Sequence, residues 1–182
     1  MDIQIKTEMT PNPNALKFIT NMTVINQDRK GYDSADECAG NPTAQSLFAI
    51  ENVTQVHFFE NVVTVTQNGR SDWSALEEAI RQVLTEKLPT HDPNFHLETA
   101  SVDAEPLSPE LERINEILNK TIRPALQGDG GDLEVLGLED NRLMVRYQGA
   151  CGSCPSAAMG TLQAIEGILR DQYDPELEVH AV

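Results

Sequence analysis

Apolar residues in the first half of this chain recur in several short runs with the two-residue period of strands, and then once with the period of a helix. Ile3 and Ile5, and later Leu16, Phe18 and Ile19, predict strands separated by the turn-rich Thr10-Pro11-Asn12-Pro13-Asn14. The strongest hairpin signal comes next, with Val53, Val56, Phe58 and Phe59 in one run and Val62, Val63 and Val65 in the other, joined at Glu60-Asn61 and closed by Asn68-Gly69. From Ser71 or Asp72, either a good N-cap, the positions Trp73, Leu76, Ala79, Ile80, Val83 and Leu84 repeat at helical spacing until Pro89 ends the pattern. That helix can cover one face of the hairpin sheet. Residues 26–42 show no period and are expected to be loop, and Thr43 to Ile50 reads as a short helix.

In the second half Ser108 is an N-cap with Pro109 at the first helical position, where its missing N–H costs nothing, and Glu110 favours the positive end of the helix dipole. Leu111, Ile114, Ile117, Leu118, Ile122 and Leu126 make the apolar face, Pro124 must kink or break the helix, and Gly128 supplies a stop. Two strands are predicted over residues 133–138 and 143–147, joined at Glu139-Asp140-Asn141. A helix opened by Pro155 comes after them, with Ala158, Thr161, Leu162, Ile165, Ile168 and Leu169 on one side, and Leu177-Glu178-Val179 can add a last strand. The order helix, strand, strand, helix, strand is an α+β layer arrangement. Between the halves, prolines at 89, 93, 106 and 109 read as a linker. The expected fold class is therefore α+β, with two small α+β domains, residues 1–88 and 108–182, joined by a proline-containing linker over residues 89–107. Cores of this size are marginal, so a metal, a partner chain or docking between halves is expected to help.

Composition narrows the function classes. The 182 residues carry 13 Lys and Arg against 29 Asp and Glu, a formal charge of -16. Both halves are acidic, which repels a polyphosphate and argues against a nucleic-acid partner. No apolar run approaches the roughly 20 residues that a membrane helix needs, and the first residues have neither a basic nor an apolar leader region. On these grounds the chain is expected to be soluble, without a membrane partner, and cytoplasmic. Three cysteines, an odd number, make a poor disulfide framework, so the thiols are expected to be used in reduced form.

Two of the three stand close together, in Cys151-Gly152-Ser153-Cys154. The pair comes after a predicted strand and precedes the proline that opens a helix, where free amide N–H groups and the helix dipole favour thiolate. Gly149, Gly152, Ser153 and Ser156 keep the surroundings small and leave room for something bulky beside the sulfurs. Three chemistries compete for such a pair: dithiol redox, zinc and iron–sulfur ligation. A thioredoxin-like redox site needs a βαβ unit before the motif and a strand pair after it, but one helix nearly fills the chain beyond Cys154. Closed zinc and iron–sulfur sites need four ligands, and in this half only His180 is available to join the two thiolates. Two chains related by a two-fold axis supply the missing ligands, each giving Cys151 and Cys154 to one cluster at an isologous contact. Ligands on one short loop at a subunit boundary are readily exchanged, which suits a protein that hands the cluster on. A thiol-disulfide oxidoreductase and a zinc-bridged interaction module stay open as alternatives.

The stretches Gly128-Asp129-Gly130-Gly131-Asp132 and Gly149-Ala150-Cys151-Gly152-Ser153-Cys154-Pro155-Ser156 resemble the C-terminal domain of NifU-like (Nfu) iron–sulfur proteins over about residues 108–180. The first half resembles the N-terminal domain of one branch of the same family, through Thr10-Pro11-Asn12-Pro13-Asn14-Ala15-Leu16-Lys17-Phe18, Asn41 to Phe48, and Val53 to Thr66. The resemblance implies a non-enzymatic scaffold or carrier. It would bind a [4Fe-4S] cluster between two subunits through Cys151 and Cys154, receive it from an upstream assembly scaffold and deliver it to apo iron–sulfur proteins, as a homodimer when loaded. A [2Fe-2S] cluster is also compatible with the residues. The scaffold and ferredoxin-like domains of nitrogen-fixation NifU have no counterpart in this sequence, so carrier is the better word.

The remaining candidates read as structural. Cys38 lies in an acidic, aperiodic stretch with no Cys or His beside it and is expected to be an incidental thiol. Gly128 to Asp132 lacks the P-loop lysine and the EF-hand alternation of acids, and is expected to be a helix stop and tight turn. The four histidines share no motif. Phe18, Phe48, Phe58, Phe59 and Trp73 are expected in cores. The first half shows no catalytic constellation, which leaves it client recognition or shielding of the cluster.

Overall fold

The computed structural model describes residues 2–26, 29–95, 108–150 and 155–182. The chain divides into two compact units, Met1–Val102 and Asp103–Val182.

In the first unit β1 (Ile5–Met9) and β2 (Ala15–Thr20) form a hairpin, closed by side-chain turns in which the Asn12 amide donates to Thr10 Oγ1 and the Asn14 amide to Asn12 Oδ1. After β3 (Arg29–Tyr32) and α1 (Pro42–Phe48), β4 (Val53–Phe59) and β5 (Val62–Gln67) make the second hairpin, and α2 (Trp73–Lys87) comes after it. The five strands are all antiparallel, in the order β1-β2-β5-β4-β3. Register places Phe18 opposite Val63, Val56 opposite Val65 and Phe58 opposite Val63, so one face of the sheet is apolar. Leu76, Ile80 and Leu84 of α2 and Leu47 of α1 share its core. Asp72 caps α2 by accepting from the Ser74 amide, and Asn41 caps α1 by accepting from the Ala44 amide.

Two features of this unit differ from expectation, β3 and the fold-back after α2, and Cys38 takes a definite place in the core. Strand β3 lies within residues 26–42, which lack periodicity. As an edge strand it needs only backbone pairing with β4 on one side, plus Tyr32, which is buried in the core. Cys38 ends a 3-10 turn (Ala35–Cys38) and is wholly buried, its Sγ directed at the Ser34 carbonyl at 3.4 Å. Burial pushes its thiol up to about 11, with the Glu37 carboxylate adding to the shift. Residues 89–95, expected as the start of the linker, fold back on the core, as does Leu88 before them. Leu88 and Phe95 are buried, and His91 stacks on Phe58 with ring centroids 5.8 Å apart. His91 Nε2 donates to the Val24 carbonyl at 2.7 Å, so its Nδ1 accepts from the Thr43 hydroxyl at 2.9 Å. Prolines exclude regular elements there without preventing the residues between them from packing.

In the second unit Pro124 breaks the predicted helix in two, α3 (Pro109–Thr121) and α4 (Arg123–Gly128). Strands β6 (Gly131–Glu139) and β7 (Arg142–Gly149) pair antiparallel through the two-residue turn Asp140-Asn141, both with positive φ, as a type I′ hairpin requires. Helix α5 (Pro155–Gln172) then carries the chain back so that β8 (Glu178–Ala181) lies parallel to β7. The sheet order is β6-β7-β8. Leu133, Leu143, Val145 and Tyr147 meet Ile114 and Leu118 of α3 and Ile165 and Leu169 of α5, with Leu177 and Val179 completing the core. Among the described residues no helix is long and apolar enough to cross a membrane.

Candidate functional site

Cys151 and Cys154 lie outside the described residues; the structure places the frame on either side of them. Strand β7 ends at Gly149, Ala150 is next, and α5 begins at Pro155. Gly149 has φ +64, in the left-handed region that favours glycine, and both Gly149 and Ala150 are buried. The Ala150 amide donates to the Gly130 carbonyl at 3.2 Å, and Gly131 pairs with Gly149 across the sheet. The start of β6 therefore holds the end of β7 at the point where the chain enters the cysteine stretch.

The turn from α4 into β6 is built around a buried ion pair. Arg123 Nε and Asp132 Oδ1 are 3.6 Å apart, with side chains 6% and 0% exposed. The guanidinium donates through Nη2 to Asn115 Oδ1 at 2.8 Å and through Nη1 to Asn119 Oδ1, and it reaches the Leu133 carbonyl at 3.4 Å. The carboxylate accepts from Gln127 Nε2 at 3.0 Å and from the Leu133 amide at 2.7 Å. Gly130, with φ +81, takes the chain from the helix stop into the strand. Sequence reasoning found the stop and the turn but missed the pair. Its signal was present: Asn115, Asn119 and Arg123, four residues apart, put a polar line on a helix whose inward face is otherwise apolar.

The structure separates the other candidates from this frame. His180 lies beside Met144 in the β7–β8 register, five residues back from Gly149 and so roughly 16 Å along the strand. It is half-exposed and 3.4 Å from the Glu178 carboxylate. A zinc site completed by His180 has no support from that placement. His57 and His91 are packing residues of the first unit, and Cys38 is sealed in its core.

Comparison with known proteins places both units. Residues 5–91 match the family described as "Scaffold protein Nfu/NifU N terminal", and residues 114–180 match the "NifU-like domain". A human protein named "NFU1 iron-sulfur cluster scaffold homolog, mitochondrial" is 35% identical over 177 residues, 96% of this chain and 69% of the human one. A Drosophila ananassae protein of the same name is 32% identical over 178 residues, covering 96% of this chain and 62% of its own length. Among solved structures, a NifU-like protein from Saccharomyces cerevisiae matches 48% of this chain and 80% of its own at 25% identity, with a TM-score of 0.45. The two family matches thus fall one in each unit of the chain. The chain belongs to the Nfu/NifU family of iron–sulfur cluster scaffold proteins. It spans between 62% and 69% of the length of these two relatives.

The same relatives overturn the cytoplasmic placement, since both are named as mitochondrial proteins. Reduced thiols, an acidic surface and the lack of a long apolar run are common to proteins of any reducing compartment, so those features do not distinguish cytoplasm from mitochondrion.

Proposed function

We propose that this chain is a carrier of iron–sulfur clusters, in which Cys151 and Cys154 from each of two copies hold one [4Fe-4S] cluster that client thiolates then remove by ligand exchange. The observation that carries the reading is the frame of the cysteine stretch: four residues between Ala150, held by the Gly130 carbonyl just past the end of β7, and a helix start at Pro155. Two thiols brought together on so short a connection satisfy half of a four-thiolate coordination sphere, and a second copy completes it. Cluster transfer is displacement, one thiolate at a time, with no redox change in the protein. The acceptors are apo iron–sulfur proteins, and the donor is an upstream assembly scaffold. The first unit, with no catalytic constellation, serves client recognition or shields the cargo.

Anaerobic loading with iron and sulfide tests this. The expected product is brown, holds one four-iron cluster per two chains and moves from monomer to dimer on loading. Cys151→Ala and Cys154→Ala each lose both properties. A loaded protein that stays monomeric, with no external thiol on the cluster, refutes the bridged arrangement. A colourless protein that reduces disulfides points to dithiol chemistry instead.

A further inference from the structure

Arg123 and Asp132 form the most deeply buried ion pair among the described residues. Removing two charges from water costs about as much as their attraction returns, so a buried pair is a poor source of stability and a better source of a single defined geometry. The chain around this one has little constraint of its own. Gly128, Gly130, Gly131 and Gly149 cluster at the two ends that meet there, and glycine leaves the backbone more freedom than any other residue. The pair supplies the missing constraint by joining three elements. Through Asn115 and Asn119 the guanidinium is fixed to α3, and through Gln127 and the Leu133 amide the carboxylate is fixed to α4 and β6. The next link is the Gly130 carbonyl, which receives the Ala150 amide one residue before Cys151.

We propose that Arg123 and Asp132 are positioning residues for cluster ligation. The pair sets the backbone at Gly130 and Gly131, and through it Gly149 and Ala150, the residues from which the chain enters the ligand stretch. Ligands pre-set by a surrounding polar network release their cargo more slowly than ligands on a free loop. The proposal rests on the reading of Cys151 and Cys154 as ligands, and its test separates the two claims.

In the full chain, Arg123→Met and Asp132→Leu are made together, so that no charge is left buried without its partner. Amide exchange is measured in the metal-free protein at Ala150 and, for comparison, at Val145 and Ile165. The double variant is expected to keep its helical content and to exchange at Ala150 at least about tenfold faster, with Val145 and Ile165 unchanged within about twofold. After anaerobic loading, the cluster is expected to pass to a chelator at least about fivefold faster than from the natural protein, with an altered visible circular dichroism. Arg123→Lys, which keeps the charge but not the planar fork, is expected to fall between the two and serves alone if the double variant does not fold. Unchanged Ala150 exchange in a folded variant overturns the proposal. So does acceleration of all three amides together, which marks a contribution to global stability only. If the natural protein takes up no cluster, the ligand reading fails, and Ala150 exchange still decides whether the pair sets this backbone.

Discussion

Acidification should weaken the first unit through one imidazole. His57 stands in β4 opposite Thr64, only 2% exposed, and its Nε2 has no hydrogen-bond partner among the described residues. Burial, reinforced by the Arg29 charge, holds its pKa down at about 3 against an ordinary 6.5. Between those values the unfolded chain binds a proton that the folded chain does not, so stability is complete above the ordinary value and declines as pH falls toward the folded one. The slope for one proton is about 1.4 kcal/mol per pH unit, and going from about pH 7.5 to about pH 5 therefore costs about 2 kcal/mol. Trp73, the single tryptophan, packs against the core of this unit, so its fluorescence in urea titrations reports on that unit. The natural protein and His57→Gln are compared at both pH values. Burial lowers the His91 pKa too, so both proteins lose some stability in acid, and the prediction concerns the difference between them. If the two lose equally, to within about 0.5 kcal/mol, His57 is not buried uncharged and the argument fails.

The packing sets two further outcomes. Cys38→Ala should leave the iron and acid-labile sulfide content of the loaded protein unchanged while costing about 1 kcal/mol in urea unfolding, because the thiol fills core space and holds no ligand position; loss of iron from this variant would mean that the ligand set is miscounted. Leu143→Ala, in the core of the second unit, should destabilise that unit by about 2–5 kcal/mol in circular-dichroism unfolding, and the urea midpoint seen by Trp73 fluorescence should not move if each unit closes its own core.

Legibility of each element in the chain tracks how much of its stability lies in its own period. The β4–β5 and β6–β7 hairpins, α2, α3 and α5 each carry an apolar pattern that matches their buried face, and all were legible. Strand β3 was not, because an edge strand with one buried side chain is specified by its neighbour and not by its own sequence. The fold-back of residues 89–95 was hidden for a related reason: Phe95 and His91 are held by Phe58, Thr43 and Val24, all distant in sequence. At the site, Gly128 and Gly130 marked the helix stop and the turn into β6, and both are there. The line of Asn115, Asn119 and Arg123 was a local sign of the buried guanidinium, but its carboxylate partner Asp132 is given only by α4 meeting β6.

The burial of Cys38 has a consequence for how the protein withstands oxygen. A thiol that stays protonated and out of reach of solvent is neither attacked by peroxide nor drawn into a disulfide with the pair at 151 and 154. An exposed third sulfur would open a dead end in which one member of that pair is cross-linked and the molecule is lost from service. Enclosing it confines thiol–disulfide exchange among the three cysteines to those at 151 and 154.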